Sequence, residues 1–188
     1  VLKVRRIEDG VIVEDTVGMA QRYDDVIFAC HADQALELIE NPDKDEEIIL
    51  KAFEYQTNKA IVHSDKSFMP KNTSAWASWV YLSERNLNRQ ENISLTYWMN
   101  NLQPLETSQQ IFVTLNPARE PDPDYIHDTH IFEHPVFNEN AVHQQAHIDQ
   151  IQGKNRLWFC GAYQRYGFHE DGLLSAIKVA EKMGVKSS

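Results

Sequence analysis

Apolar and polar positions alternate along residues 2–18, LKVRRIEDGVIVEDTVG, on both sides of Asp9-Gly10. Alternation with a dipeptide that favours a tight turn predicts two antiparallel strands. The next apolar run, VIFAC at 26–30, is short and unbroken, as in a strand buried on both faces. Helical spacing follows, from Asp33 through Leu36 and Ile39 to a stop at Pro42. Residues 43–55, DKDEEIILKAFEY, place acidic groups first and apolar ones at 48, 49, 52 and 53, which predicts an amphipathic helix charged to suit its N-terminus.

Between Lys59 and Phe137 come the strand candidates KAIVHS, AWASWVYL, ISLTYWMN, QQIFVTLN and THIFEHPVF, rich in β-branched and aromatic residues and separated by Asn, Pro, Ser and Asp. They predict a mostly antiparallel layer. NENAVHQQAHIDQIQG then reads as a helix capped by Asn138 or Asn140 and stopped by Gly153. After the apolar run LWFC at 157–160, HEDGLLSAIKVAEKMG predicts a last helix that stops at Gly184. Pieces of α/β type thus bracket a β-rich block, as when one domain is interrupted by another. No internal repeat, low-complexity tract or linker is visible.

Composition narrows the picture. The chain has 188 residues, 42% hydrophobic and 24% charged, with no apolar run approaching the ~20 residues of a membrane span, so a soluble protein without a span is expected. Its net charge of −10, with 18 basic residues scattered against 28 acidic, opposes nucleic acid as a partner. Cys30 and Cys160 each sit in an apolar run, where a thiol behaves as a small hydrophobe, and a reducing cytoplasm fits best. The chain opens at Val1 inside an alternating pattern, which suggests a piece of something longer.

Of the histidines, His127 and His130 would point to opposite faces of a strand, and His130 and His134 would lie roughly 13 Å apart on one face. His143 and His147 share a helix face by spacing, but no HExxH or cysteine cluster completes a site, and no metal is expected. Neither a GxSxG elbow nor a Cys paired with a His is present. Trp76, Trp79, Tyr81, Tyr97 and Trp98 fall on two strand candidates, where they pack across strands or line a ligand. VIFACH and LWFCGAY both lead from an apolar strand into polar residues and a helix, and ligands of open α/β sheets bind beyond such carboxyl ends. Gly161, Gly167 and Gly172 allow close backbone approach, and the free N–H groups of the following helix favour an electron-rich partner. Glu170 and Asp171 make a phosphate an awkward neighbour there, unless both merely cap the helix.

The segments YDDVIFACHADQALELI, KAIVHSDKSFMP, AWASWVYL, LTYWMNNLQPL, FVTLNP, EHPVF and RLWFCGAYQRYGFHEDGLLSAIKVAEKMG resemble, in order, the second half of bacterial FAD-dependent amine-oxidase-like proteins. These predicted NAD/FAD-binding flavoproteins are similar in fold to monoamine oxidases, protoporphyrinogen oxidases and phytoene desaturases. The resemblance implies an α/β fold (α+β in its mixed layers), in which a Rossmann-like FAD-binding domain is interrupted by a substrate domain. Residues 1–35 would be returning strands of the FAD domain, 36–154 the substrate domain, and 155–188 the C-terminal strand and helix of the FAD domain. It further implies hydride transfer from a C–N or C–C bond of a small-molecule substrate to FAD in a full-length parent, with this chain alone inactive and without the cofactor.

By the same resemblance, Gly161, Ala162, Gly167, Phe168, His169, Glu170, Asp171, Gly172 and Leu173 would contact FAD. Trp79, Tyr97, Trp98, Tyr163 and Tyr166 would line the substrate side, and His169 would exchange a proton with substrate or make a structural hydrogen bond. Relatives often carry an acidic residue where this chain has Ala162. With seven glycines the chain has no GxGxxG, so the adenine and pyrophosphate half of the site lies outside it. The substrate would be an amine or an apolar, lipid-like compound. The alternatives are a fatty-acyl flavin oxidoreductase or desaturase and a flavin-free binding domain, and self-association through a truncated face is expected of a fragment.

Overall fold

In the computed structural model, which describes residues 1–85 and 91–185, the chain is a mixed α and β fold with antiparallel sheets and several helices. It opens with β1 (Lys3–Ile7), β2 (Gly10–Glu14) and β3 (Ala20–Tyr23), a three-stranded antiparallel meander. The hairpin turn is Glu8-Asp9, one residue earlier than the dipeptide suggests, because Ile7 pairs with Gly10. Gly10 answers to crowding instead. A Cβ there would stand 2.6 Å from the Tyr23 carbonyl oxygen of β3.

After β4 (Val26–Phe28) come α1 (Ala32–Leu38) and α2 (Lys44–Lys51), then β5 (Glu54–His63). The α2 helix stops before the expected AFEY because Phe53 turns into the core, 1% exposed, and the chain extends at Glu54. Asp43 caps α2 by accepting from the N–H groups of Asp45 and Glu46, and the Glu46 carboxylate reaches back to the Asp43 N–H at 2.8 Å. Glu46 is wholly buried, and the Arg6 guanidinium of β1 pairs with it.

The middle of the chain supplies β6 (Trp79–Arg85), β7 (Glu91–Trp98), the single turn α3 (Met99–Leu102), β8 (Phe112–Leu115) and β9 (Ile126–Val136). Their sheet has the order β6-β7-β8-β5-β9. Pro135 lies in β9, the edge strand of the sheet, where proline is tolerated. The chain returns through α4 (Glu139–Gln145), β10 (Leu157–Phe159) and α5 (His169–Lys182). Asn138 caps α4, accepting from the Ala141 N–H at 2.8 Å. The helix expected to run on to Gly153 ends at Gln145 and gives way to a 3-10 turn at Ile148–Gln150, which buries Ile148 and Ile151, three residues apart, on one side.

Two compact units result, residues 1–56 with 135–188, and residues 57–134. The division falls at 56/57 and 134/135, not at 35/36 and 154/155. The physical reason is that Ala32, Ala35, Ile39, Ile49 and Leu50 of α1 and α2, and Ala141, Ile148 and Ile151 of the return, share one core with Phe28 and Phe159.

In the first unit β4 and β10 form a two-stranded parallel sheet in which Val26, Ile27 and Phe28 pair with Leu157, Trp158 and Phe159. The Phe28 and Phe159 rings stack at 5.3 Å. On the outer side of β10 the Gln152 side chain takes a neighbouring strand's place, its Oε1 accepting from the Phe159 N–H (2.9 Å) and its Nε2 donating to the Phe159 carbonyl (2.6 Å). No strand pairs with the outer side of β4 among the described residues.

In the second unit the sheet has two unlike faces. One buries Ile61, His63, Thr96, Phe112 and Thr114, with Trp98 beside Phe112 in register. Asp65 donates its N–H to His63 Nδ1 (3.2 Å), so the His63 proton is on Nε2 and is donated to Thr114 Oγ1 (2.7 Å), whose hydroxyl meets Thr96 Oγ1 at 2.8 Å. Burial drives the His63 pKa down to about 4, opposed by the Asp65 carboxylate and helped by the nearby His127 and Arg119. An unfolded histidine titrates near 6.5, so between those two values the unfolded chain binds the extra proton. Stability is therefore full above about pH 6.5 and falls as the pH drops toward 4, by an amount on the order of 3 kcal/mol. Urea unfolding across this range should show the loss in the native chain and a flatter profile in His63→Gln; equal slopes would rule out His63 as its source.

Candidate functional site

The parallel pair sets the geometry of the first site. Because β4 and β10 run the same way, their carboxyl ends emerge side by side, at Cys30-His31 and at Cys160-Gly161. The α5 helix closes on this point: Gly161 donates its N–H to Ser175 Oγ (2.8 Å), and the Ser175 hydroxyl donates to the Gly172 carbonyl (2.7 Å). Ser175, Asp171 and Val179 form the buried side of α5. Val185 N–H returns to the Ala180 carbonyl, and Gly184 at φ +90° ends the helix.

The nine residues assigned to FAD by resemblance separate into groups. Gly161 is glycine because a Cβ would lie 2.5 Å from the Tyr163 ring. Ala162 is half-buried, and Gly172 meets it only at ordinary contact, 3.8 Å, so the backbone between them is uncrowded. Gly167 adopts φ +87° beneath the Phe137 ring. Phe168, His169, Glu170 and Leu173 are exposed at the amino end of α5, Phe168 by 67%. Asp171 alone turns inward, its Oδ2 accepting from the N–H groups of Phe168 (3.0 Å) and Tyr166 (3.2 Å) while Arg165 stands 3.7 Å away. Its carboxylate is spent on the loop.

Two tyrosines differ as sharply. Tyr166 is exposed, with the Arg165 guanidinium 5.5 Å above its ring. Tyr163 belongs to the core, 3% exposed and 4.8 Å from the Phe53 ring, so it cannot serve as an open wall, and desolvation holds its phenol pKa above the ordinary value. Burial raises the thiol pKa of Cys30 and Cys160, which keeps both as thiols of little nucleophilic character.

His31 was not singled out from the sequence, although it directly follows the β4 run. Its ring stacks on Tyr55 at 4.2 Å, and its Nδ1 is buried without a hydrogen-bond partner. The Tyr55 hydroxyl accepts from the Ala32 N–H (2.9 Å), and desolvation raises its pKa to about 12.

The second site is the other face of the five-stranded sheet. Cross-strand pairing puts Trp79 opposite Tyr97, Tyr81 opposite Leu95, Tyr97 opposite Val113, Leu95 opposite Leu115, and Val62 and Ala60 opposite Val113 and Leu115. Every one of these is apolar or aromatic. Trp79 and Tyr81 are 54% and 67% exposed, and the Trp79 and Tyr97 rings meet edge to face at 5.7 Å. Trp98 is separated from this group. It lies on the buried face with Trp76 (5.2 Å) and donates its indole N–H to Gln110 (2.7 Å), so of the three wall residues expected in this unit Trp79 and Tyr97 share a face and Trp98 lies on the other.

Among the described residues no group of three or more His, Cys, Asp or Glu is placed to hold a metal ion, and no helix is long and apolar enough to cross a membrane. His147 donates from Nδ1 to the His143 carbonyl (3.0 Å), one turn back.

No protein-family profile matches the chain, and no curated protein matches it. Among solved structures it is similar to the CLA-producing fatty acid isomerase from P. acnes, with a TM-score of 0.64 at 12% identity, over 98% of this chain. The chain spans about half of that structure, 47% of its length. At such low identity the likeness is one of fold.

Proposed function

We propose that the chain is the C-terminal half of an FAD-dependent oxidoreductase of the amine-oxidase-like superfamily, and that its substrate is apolar and acyl-like. The observation that carries this is the meeting of three element ends: the parallel carboxyl ends of β4 and β10 at the amino end of α5. Ligands of open α/β sheets occupy such a place, and in this proposal β4 and β10 belong to a Rossmann-like sheet continued by the parent's other half.

The residues fit the flavin end of FAD better than its pyrophosphate. The N–H groups of His169 and Glu170, in the first turn of α5, have no acceptor within the helix. Gly161 and Ala162 leave the neighbouring backbone uncovered, and the inward turn of Asp171 removes one of two charges that would oppose an electron-rich ring edge. FAD held there would supply the two-electron chemistry. The part of this chain is to place N–H dipoles where negative charge gathers, to exclude water with Phe168 and Leu173, and, through the exposed His169, to exchange a proton with substrate.

The apolar face of the second unit favours a lipid-like substrate over an amine, and the fatty acid isomerase of similar fold supports the same choice. Visible absorbance of the purified full-length parent tests the proposal: a yellow protein with a flavin spectrum, bleached anaerobically by a long-chain acyl substrate, is expected. A colourless parent would overturn it in favour of a binding module without turnover.

A further inference from the structure

The apolar face of the second unit ends, on β9, in a polar edge whose hydrogen bonds can be oriented without ambiguity. Asp128, His130, Phe132 and His134 alternate onto one side of β9: Asp128 bonds His130 at 2.7 Å, and the Phe132 ring lies 6.0 Å from His130 and 6.1 Å from His134. His134 meets Asn58, which precedes Ala60 and Val62 by two and four residues on β5 and so shares their face.

The relay starts at a backbone group. Lys59 N–H can only donate, so the Asn116 atom 3.0 Å away is its carbonyl oxygen. Asn116 Nδ2 must then donate to Asn58 Oδ1 (2.6 Å), and Asn58 Nδ2 to His134 Nδ1 (2.9 Å). An imidazole that accepts at Nδ1 carries its proton on Nε2. His134 is thus held as an Nε2–H donor, and its ring is exposed at the rim of the aromatic face.

We propose that this face binds a long-chain acyl compound, with the chain lying across Phe132, Tyr97 and Trp79 and a carboxyl oxygen accepting from His134 Nε2–H. The dimensions suit it: four strand spacings separate β9 from β6, about 19 Å. Asn58, where His134 meets β5, lies four residues or about 13 Å along the strand from the row of Val62, Val113, Tyr97 and Trp79, so the diagonal path is about 23 Å, the scale of an extended long acyl chain. The donor beside Phe132 and the apolar positions Ala60, Val62, Val113, Tyr97 and Trp79 beyond it match an amphiphile with a single polar head, while Asp128 and His130 are bonded to each other farther along β9. The proposal rests on the acyl-like substrate put forward above and is independent of the flavin.

The test uses the chain itself and two probes of equal length and opposite head, dodecanoate and dodecylamine, followed by tryptophan fluorescence, with Trp79 as the reporter on the face. Dodecanoate should bind, and His134→Phe and Asn58→Leu should each weaken it about tenfold, the effect of one lost hydrogen bond, while leaving dodecylamine unchanged. Long-range proton–nitrogen spectra should show the Nε2–H form of His134 in the native chain and its loss in Asn58→Leu. Unaltered dodecanoate binding by both variants would overturn the role of His134. Failure of the native chain to bind dodecanoate would overturn the acyl face itself, whereas failure of the flavin assignment would show separately, as a colourless parent.

Discussion

Replacing Arg6 by Ala should lower the stability of the chain by about 3–5 kcal/mol, the cost of removing one partner from a buried ion pair. Glu46 has no exposed surface, and its two oxygens have two dependable partners: the Asp43 N–H and the Arg6 guanidinium. Without Arg6 one oxygen is left without its partner in a place that has no exposed surface. Arg6 also donates to the Asn41 carbonyl (3.0 Å), so the same variant frees the turn between α1 and α2. The pair as a whole contributes far less than either partner's deletion suggests, because taking both charges out of water offsets most of their attraction. The double variant Arg6→Met, Glu46→Leu should therefore recover most of the lost stability. Urea midpoints for the three chains decide the matter: a loss below about 1 kcal/mol in Arg6→Ala would show that Glu46 is solvated in solution.

The second large effect is expected at Phe159. Its ring has no exposed surface, stacks on Phe28, and belongs to a strand only three residues long. Truncation to Ala should cost about 3–5 kcal/mol through lost burial and the cavity left behind, whereas Phe159→Leu should cost roughly 1.5 kcal/mol or less. Because this ring clamps β10 to β4, the Ala variant should also loosen the point where the strand ends meet α5. Hydrogen exchange should show it as faster exchange at Cys160 N–H, which donates to the Phe28 carbonyl (2.9 Å). A variant as stable as the native chain would place the core elsewhere.

What could be read from the residues, and what could not, follows the range of the forces involved. VIFAC and LWFC announce their strands because a strand buried on both faces needs an unbroken apolar run. Asn138 and Gly184 announce helix ends because capping is local chemistry. By contrast, β3 is AQRY, exposed throughout, and carries no alternation that could predict it; only the pairing offered by β2 makes it a strand. Gly10 suggests a turn by its neighbour Asp9, yet its place is decided by a carbonyl thirteen residues on.

The candidate sites divide along the same line. The loop-helix at 161–173 was visible as a place of close backbone approach, but whether Glu170 or Asp171 was the cap depended on which way the loop folded back. Trp79 and Trp98 look alike in a list of aromatics and lie on opposite faces of the sheet. Asn58, Asn116 and His134 are too far apart in sequence to suggest one another, and nothing short of the folded sheet connects them.

The side chain of Gln152 has a consequence for assembly. A bare strand edge is an adhesive, open to any extended segment that passes, including another copy of the same edge. By occupying both the N–H and the carbonyl of Phe159, Gln152 works as a stopper on β10, and the parallel sheet can accept a new strand only along β4. Growth is thereby given a direction. Whatever strand completes this sheet has a single berth, and edge-to-edge pairing of identical sheets through β10, the first step toward a fibre, is closed off by the Gln152 amide, joined at the Phe159 carbonyl by that of Gln164 (2.9 Å).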